Sequence, residues 1–228
     1  MKVLIYCGQR TGSTALLNWV HKELNLTPIF EPFTNVEKGD ARYFNLNWFN
    51  DFDGFLKLDS VVAKVIHGTF NYFIHENEVD SKVFTKFDKV IVLYRENLLE
   101  QAKSLIIAKD IIRNYFHEYD YNAIKDQVDE HIDDQWVRER IGIEWSFLER
   151  TKTLKNCEVF SYEEIFENGN HERLLRYLEI TEPKHLDILD NKNRYRKTII
   201  EENQELNGKE KNILRRRPHT NRRRLGGS

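Results

Sequence analysis

Three features of the chain predict a three-layer α/β/α fold around a central, mostly parallel sheet of about five strands. Short, largely apolar runs at 3–6, 27–31, 61–66, 89–94 and 157–160 alternate with segments of helical period, and strands that alternate with helices build parallel sheets. The third and fourth runs are nearly continuous in apolar character, as strands covered on both faces are. The first run passes through a small, glycine-bearing loop directly into a helix pattern, the connection that lets a helix N-terminus face an anion.

That first stretch, MKVLIYCGQRTGSTALLNW, is the one the chain is organised around. Glycines at 8 and 12 let the backbone come close to a ligand, and the first turn of the following helix has unused N–H groups. Ser13 and Thr14 add hydroxyls, and Arg10 adds a guanidinium fork suited to phosphate or sulfate oxygens. A Walker A loop is spelled G-x-x-x-x-G-K-[ST]. Here the glycines are one residue too close, and Ser13 stands where the lysine belongs. The loop reads as an anion site, or as an ordinary βα turn carrying an exposed arginine.

With 228 residues, the chain has the length for one domain over residues 1–208, followed by a basic tail over 209–228. Apolar residues make up 40% and charged residues 32%, which places it among soluble, polar-leaning globular proteins. No apolar run nears the roughly 20 residues that span a bilayer, and the N-terminal strand is too soon interrupted by Arg10 to read as a signal peptide. Cys7 and Cys157 have no metal-ligand spacing and read as small core residues, which fits a cytoplasmic location. The eight histidines form no H-x-H or H-E-x-x-H pair, so no zinc site is expected. The tail carries eight Lys/Arg and one Glu, net +7, against 27 basic and 36 acidic residues elsewhere. It reads as a solvated end or as a contact for anionic surfaces, and it has no aromatic residues for base stacking.

In chain order, a first helix is expected over roughly Ser13 to Leu26. The second strand should end at Glu31, because Pro32 biases its predecessor toward extended geometry. Glu31 would then emerge at the carboxyl edge of the sheet beside Phe30 and Phe33, either as a general base with a raised pKa or as a surface glutamate in a turn. Residues 35–58 are aromatic and aperiodic, as binding walls or irregular packing segments are. Lys64 interrupts the third strand and must either snorkel or face an anion. His67 follows at the strand exit, structural or within reach of a ligand.

The fourth strand ends in Arg95, where a Walker B strand offers an aspartate for magnesium. The helix after it has a core stripe of Leu98, Ala102, Leu105 and Ile106 and a polar stripe of Asn97, Gln101 and Ser104. From about Tyr119 to Lys155 long amphipathic helices are expected, with Ile132, Trp136, Ile141, Trp145 and Leu148 on the buried side. Ser161 to Glu164 spells a capping box, and helices are expected over Asn170 to Glu179 and Ile199 to Leu206.

With these pieces placed, the chain resembles the sulfotransferases that use 3'-phosphoadenylyl sulfate (PAPS), whose fold is P-loop NTPase-like. YCGQRTGSTALLNW is similar to the family's 5'-phosphosulfate loop, closest in spelling to the bacterial trehalose sulfotransferase branch. VIVLYRENLLEQAKS resembles the 3'-phosphate motif, and CEVFSYEEIFENGNHERLLRYLEI the later strand-Tyr-Glu-helix segment. The resemblance implies that Arg10, Thr11, Gly12, Ser13 and Thr14 cradle the 5'-phosphosulfate and that Arg95 and Ser104 bind the 3'-phosphate. It implies Tyr162 near the adenine and Glu31 as the base, since Phe30-Glu31-Pro32 stands in a G-E-P-like context. In the eukaryotic branch the base is a histidine on the third strand, which makes His67 the second candidate. The interval from Arg95 to Ser104 is one residue longer than in that branch, so Asn97 is a substitute for Ser104. Arg194, Arg196 and Lys197 stand in for a C-terminal phosphate loop.

The implied reaction moves a sulfuryl group from PAPS, leaving 3',5'-phosphoadenosine (PAP), to a hydroxyl or amine of a small-molecule, carbohydrate or lipid acceptor, with no metal. Two other classes fit parts of the sequence: a P-loop-type small-molecule kinase or NTPase, and a non-enzymatic nucleic-acid binder that uses the tail. The missing lysine and Walker B acid speak against the first, and the tail's lack of aromatic residues against the second.

Overall fold

Alternation along the first strand fixes the layers. Val3, Ile5 and Cys7 pack on one side of it and Leu4 and Tyr6 on the other, all of them buried. The structure, a computed structural model, describes residues 1–33, 52–76, 81–106, 134–152, 154 and 157–190. Its sheet has β1 (Lys2–Cys7), β2 (Thr27–Phe30), β3 (Val61–Ile66), β4 (Lys89–Tyr94) and β5 (Cys157–Ser161), in the order β2-β3-β1-β4-β5. Every pairing is parallel. The expected three-layer α/β/α architecture is therefore present, and the sheet is wholly rather than mostly parallel.

The helices among the described residues are α1 (Ser13–Leu24), α2 (Phe52–Leu56), α3 (His67–Glu76), α4 (Leu98–Ile106), α5 (Asp134–Thr151), α6 (Glu172–Tyr177) and α7 (Asp187–Asp190). A 3-10 stretch occupies Ser81–Lys86 and a π-helical turn Glu163–Glu167. Leu16, Leu17, Trp19 and Val20 of α1 join Leu174 and Leu178, and Ile188 and Leu189 of α7, on one face of the sheet. Phe55 of α2, Phe70 of α3, Val83, Phe84 and Phe87, and Phe147 of α5 cover the other. Helix α1 stops at Leu24, two residues short of the expected end. Asn25 takes the left-handed conformation with φ 51° and returns its N–H to His21 O.

Strand order places the site. The chain leaves β1 toward the β3–β2 side and leaves β4 toward β5, although β1 and β4 are neighbours. The carboxyl ends of this pair therefore form the topological switch point, where open α/β sheets leave a crevice for ligands.

Two expectations about the later segments need correction. Trp145 does not belong to the buried side of α5, since it is 56% exposed. Val137, Phe147 and Thr151 are the buried positions, and Ile141 and Leu148 are half-buried. The face is set by Phe147, which packs flat on the His67 ring, and one residue of helix turns Trp145 about 100° away from Glu144. The S-x-x-E box forms only in part: Ser161 Oγ accepts the Glu164 N–H at 3.0 Å, but the Glu164 carboxylate is taken by Arg173. A π-helical turn follows in place of an α-helix, and α6 is confined to Glu172–Tyr177.

Among the described residues no helix is long and apolar enough to cross a membrane. The expectations for the aromatic stretch up to residue 51, for Ile132 and the Trp136 side chain, for Arg194, Arg196 and Lys197, for the helix over Ile199 to Leu206 and for the 209–228 tail lie outside the described residues.

Candidate functional site at the carboxyl edge of the sheet

The loop after β1 folds back on itself. Thr11, fully buried, donates its hydroxyl to Gly8 O at 3.0 Å. Arg10 and Gly12 take positive φ, 63° and 76°, a conformation natural to glycine and strained for arginine. Gly12 is also the N-cap of α1, with no side-chain cap. A Cβ there would stand 2.5 Å from Phe166 Cε2, so both conformation and space call for glycine. Ser13 and Thr14 form the first turn of α1, where backbone N–H groups lack intrahelical partners.

Helix α4 braces the loop. Gln101 Nε2 donates to Gln9 O at 2.7 Å, and Arg10 Nε donates to Ser104 Oγ at 3.0 Å. Gln101 and Ser104 are both buried. The polar stripe of α4 is thus an internal contact with the loop after β1, except for exposed Asn97, whose Oδ1 caps the Glu100 N–H. Ser104, expected to share a ligand with Arg95, accepts the Arg10 Nε–H.

At the β2–β3 side, Lys64 resolves its own puzzle by facing a carboxylate. Its ammonium lies 2.8 Å from Glu31 Oε1 and donates to Thr14 Oγ1 at 3.1 Å, with the Phe30 ring 3.9 Å beneath it. Both charged side chains are nearly enclosed, 5% and 11% exposed. The Glu31 carboxylate is therefore ion-paired, not surrounded by Phe30 and Phe33 alone. Nor is Glu31 extended: its φ is 45°. Its N–H continues the ladder to Lys64 O at 2.9 Å, and the ion pair draws the side chain back over β3. Such strained backbone concentrates at functional sites.

His67 opens α3 and is buried. Its Nε2 lies 3.4 Å from Glu144 Oε1, and its ring stacks on Phe147 at 4.5 Å. The other Glu144 oxygen lies against Gly8, in the place a Cβ would take. A groove of about 560 Å³ begins at His67 and runs between α3 and α5, with Asn71, Glu139, Ser146 and Arg150 along it.

On the β4–β5 side, Arg95 lies across the Tyr162 ring at 4.5 Å, and its Nε is 3.8 Å from Glu163 Oε1. The Glu163 carboxylate accepts the N–H groups of Glu96 at 2.9 Å and Asn97 at 3.2 Å. Nε of Arg95 is buried and has no hydrogen-bond partner among the described residues. Burial pushes the Cys7 thiol, just before the loop, up to about 11. Among the described residues no group of three His, Cys, Asp or Glu is arranged to hold a metal ion.

Among the described residues, Glu31, His67, the 10–14 loop, Arg95 and Tyr162 thus follow one another along the carboxyl edge, after β2, β3, β1, β4 and β5, with Ser104 on α4 against the loop. Glu144 and Glu163 were not foreseen. Glu144 falls three residues before Phe147 and seven after Val137, a spacing that puts it on the buried face. Glu163 follows the exit of β5 and could be read only once β5 was known to neighbour β4. No protein-family model matches the chain, and no curated protein matches it in sequence.

Proposed function

We propose that the chain is a PAPS-dependent sulfotransferase. The observation that carries the reading is the placement of two arginines at the switch point, Arg10 after β1 and Arg95 after β4, on adjacent parallel strands. PAPS is anionic at both ends, and a ligand lying across the crevice would meet a guanidinium at each. The 10–14 loop and the first turn of α1 would take the phosphosulfate. Arg95 and the N–H groups after β4 would take the 3'-phosphate, and Tyr162 would line the nucleoside.

In the reaction, an acceptor oxygen or nitrogen attacks sulfur as the sulfur–oxygen bond to the 5'-phosphate breaks, and PAP leaves with that bonding pair. Arg10 and the loop N–H groups stabilise the charge that grows on the departing oxygen. Two groups stand where they could take the acceptor's proton. Glu31 is held by Lys64 next to Thr14, and His67 is held by Glu144 at the head of the groove. The groove's mixture of amide, hydroxyl, carboxylate and guanidinium suits a hydroxylated acceptor such as a carbohydrate.

Sulfuryl transfer from labelled PAPS to a panel of sugars, lipid head groups and small alcohols tests the reading, and transfer to at least one is expected. Glu31→Gln should spare PAP binding and lower turnover about 10²–10⁴-fold if Glu31 is the base. Full activity in that variant with the loss moved to His67→Asn would assign the proton to His67. Binding of ATP with magnesium in preference to PAP would replace this reading with a kinase.

A further inference from the structure

Under the reading above, Arg95 belongs to the site for the nucleotide's 3'-phosphate, yet an anion of the chain's own already sits there. The Glu163 carboxylate has two oxygens, and each is committed to a backbone N–H of the turn after β4, at 2.9 and 3.2 Å. Its nearest approach to the guanidinium is 3.8 Å, too long for a hydrogen bond. Arg95 Nε is left buried without a partner among the described residues, although buried polar groups are normally satisfied. As it lies, the carboxylate serves the two N–H groups and does not come within hydrogen-bond distance of the guanidinium. A phosphate has three free oxygens and can serve both N–H groups and the guanidinium at once.

The surroundings are arranged so that Glu163 can leave. It starts a π-helical turn, a form that occurs mostly at functional sites. That turn is anchored without it: Glu164 takes two hydrogen bonds from Arg173, and the Glu164 N–H is held by Ser161 Oγ. The α4 end is likewise secured by the Asn97 cap on Glu100. Removing the carboxylate from the turn thus unties neither element.

We propose that Glu163 is a displaceable counter-ion that determines the specificity of this site. Its carboxylate fills the Arg95 pocket, and a phosphate monoester takes its place on binding. Only a ligand with an oxyanion stronger than a carboxylate gains by the exchange, so a donor lacking the 3'-phosphate gains nothing there.

The test is calorimetric titration of the full chain and of Glu163→Gln with PAP, with adenosine 5'-phosphosulfate (which lacks the 3'-phosphate) and with inorganic phosphate. Glu163→Gln is expected to bind PAP about tenfold more tightly than the natural chain, the scale of one charged hydrogen bond, with affinity for adenosine 5'-phosphosulfate unchanged. Equal or weaker PAP binding by a variant that melts like the natural chain would overturn the proposal. Should neither protein bind PAP, the sulfotransferase reading fails, and inorganic phosphate decides this proposal alone: tighter binding by Glu163→Gln supports it and equal binding overturns it. A crystal of the natural chain soaked in phosphate gives an answer that does not depend on the variant's folding. Phosphate on the Glu96 and Asn97 N–H groups with Glu163 turned away is expected, and phosphate bound elsewhere with Glu163 unmoved contradicts it.

Discussion

Arg10 Nε donates to Ser104 Oγ across 3.0 Å, and this bond ties the loop after β1 to the helix after β4. The two residues are separated by three intervening strands in the sequence, yet they meet at the boundary of the central strand pair. Arg10 is held at positive φ, so its side chain is aimed by a strained backbone and steadied by a neutral acceptor. A guanidinium has five N–H donors, and the bond to Ser104 uses one of them.

Ser104→Ala should therefore lower the unfolding free energy by about 1 kcal/mol, the net worth of a hydrogen bond, and Ser104→Thr should recover most of it. Urea denaturation measures both. Equal stability of the alanine variant would mean that the bond steadies nothing.

Lys64 and Glu31 are enclosed together, so each depends on the other. Lys64→Met alone leaves a largely buried carboxylate without its ammonium and should destabilise the fold by about 3 kcal/mol. The double variant Lys64→Met with Glu31→Gln should be more stable than Lys64→Met, because the enclosed carboxylate charge is removed along with the ammonium. Thermal unfolding of the four proteins completes the cycle. Strict additivity would show that the two side chains do not interact.

Gly12 is constrained twice, by φ of 76° and by the Phe166 ring. Gly12→Ala should cost about 1–3 kcal/mol. Adding Phe166→Leu should return only part, since it makes room without relaxing the backbone. Complete recovery in the double variant would assign the whole effect to the ring.

Alkaline stability follows from Cys7, whose thiol is pushed up to about 11 from an ordinary value of 9.0, chiefly by burial. Between those two values the folded chain retains a proton that the unfolded chain has released. The stabilisation is complete below about pH 9 and is lost as pH rises through about 11, amounting to roughly 2–3 kcal/mol. Tyr6, raised in the same sense by burial, adds to the decline at its upper end. Cys7→Ala should flatten the slope of melting temperature between pH 9 and 11. An unchanged slope would remove Cys7 from the explanation.

The parts of the fold that could be read from sequence are those where one local pattern decides the outcome. Val61–Ile66 and Lys89–Tyr94 are strands because uninterrupted β-branched and apolar residues fit a doubly covered sheet. The loop at Gly8–Thr14 was readable because glycine, hydroxyl and arginine each do something there that few residues can. What escaped depends on contacts between distant segments. Lys64 is puzzling within its strand and is explained only by Glu31, which the parallel register of β2 on β3 brings alongside. The buried face of α5 cannot be phased from its own sequence, where Trp145 is as apolar as Phe147. It is decided by His67 and Gly8, which lie more than 70 residues earlier. Pro32 argued for an extended Glu31, and a tertiary ion pair prevailed over that local preference.

The most direct test of a two-ended anionic ligand bridging β1 and β4 is calorimetric titration with PAP in the presence of a chelator, on the natural chain, Arg10→Ala and Arg95→Ala. The account expects one PAP per chain without any divalent ion, weakened by about 1.5–3 kcal/mol in each variant. PAP affinity left intact by either substitution, or binding seen only for ATP with magnesium, would contradict it.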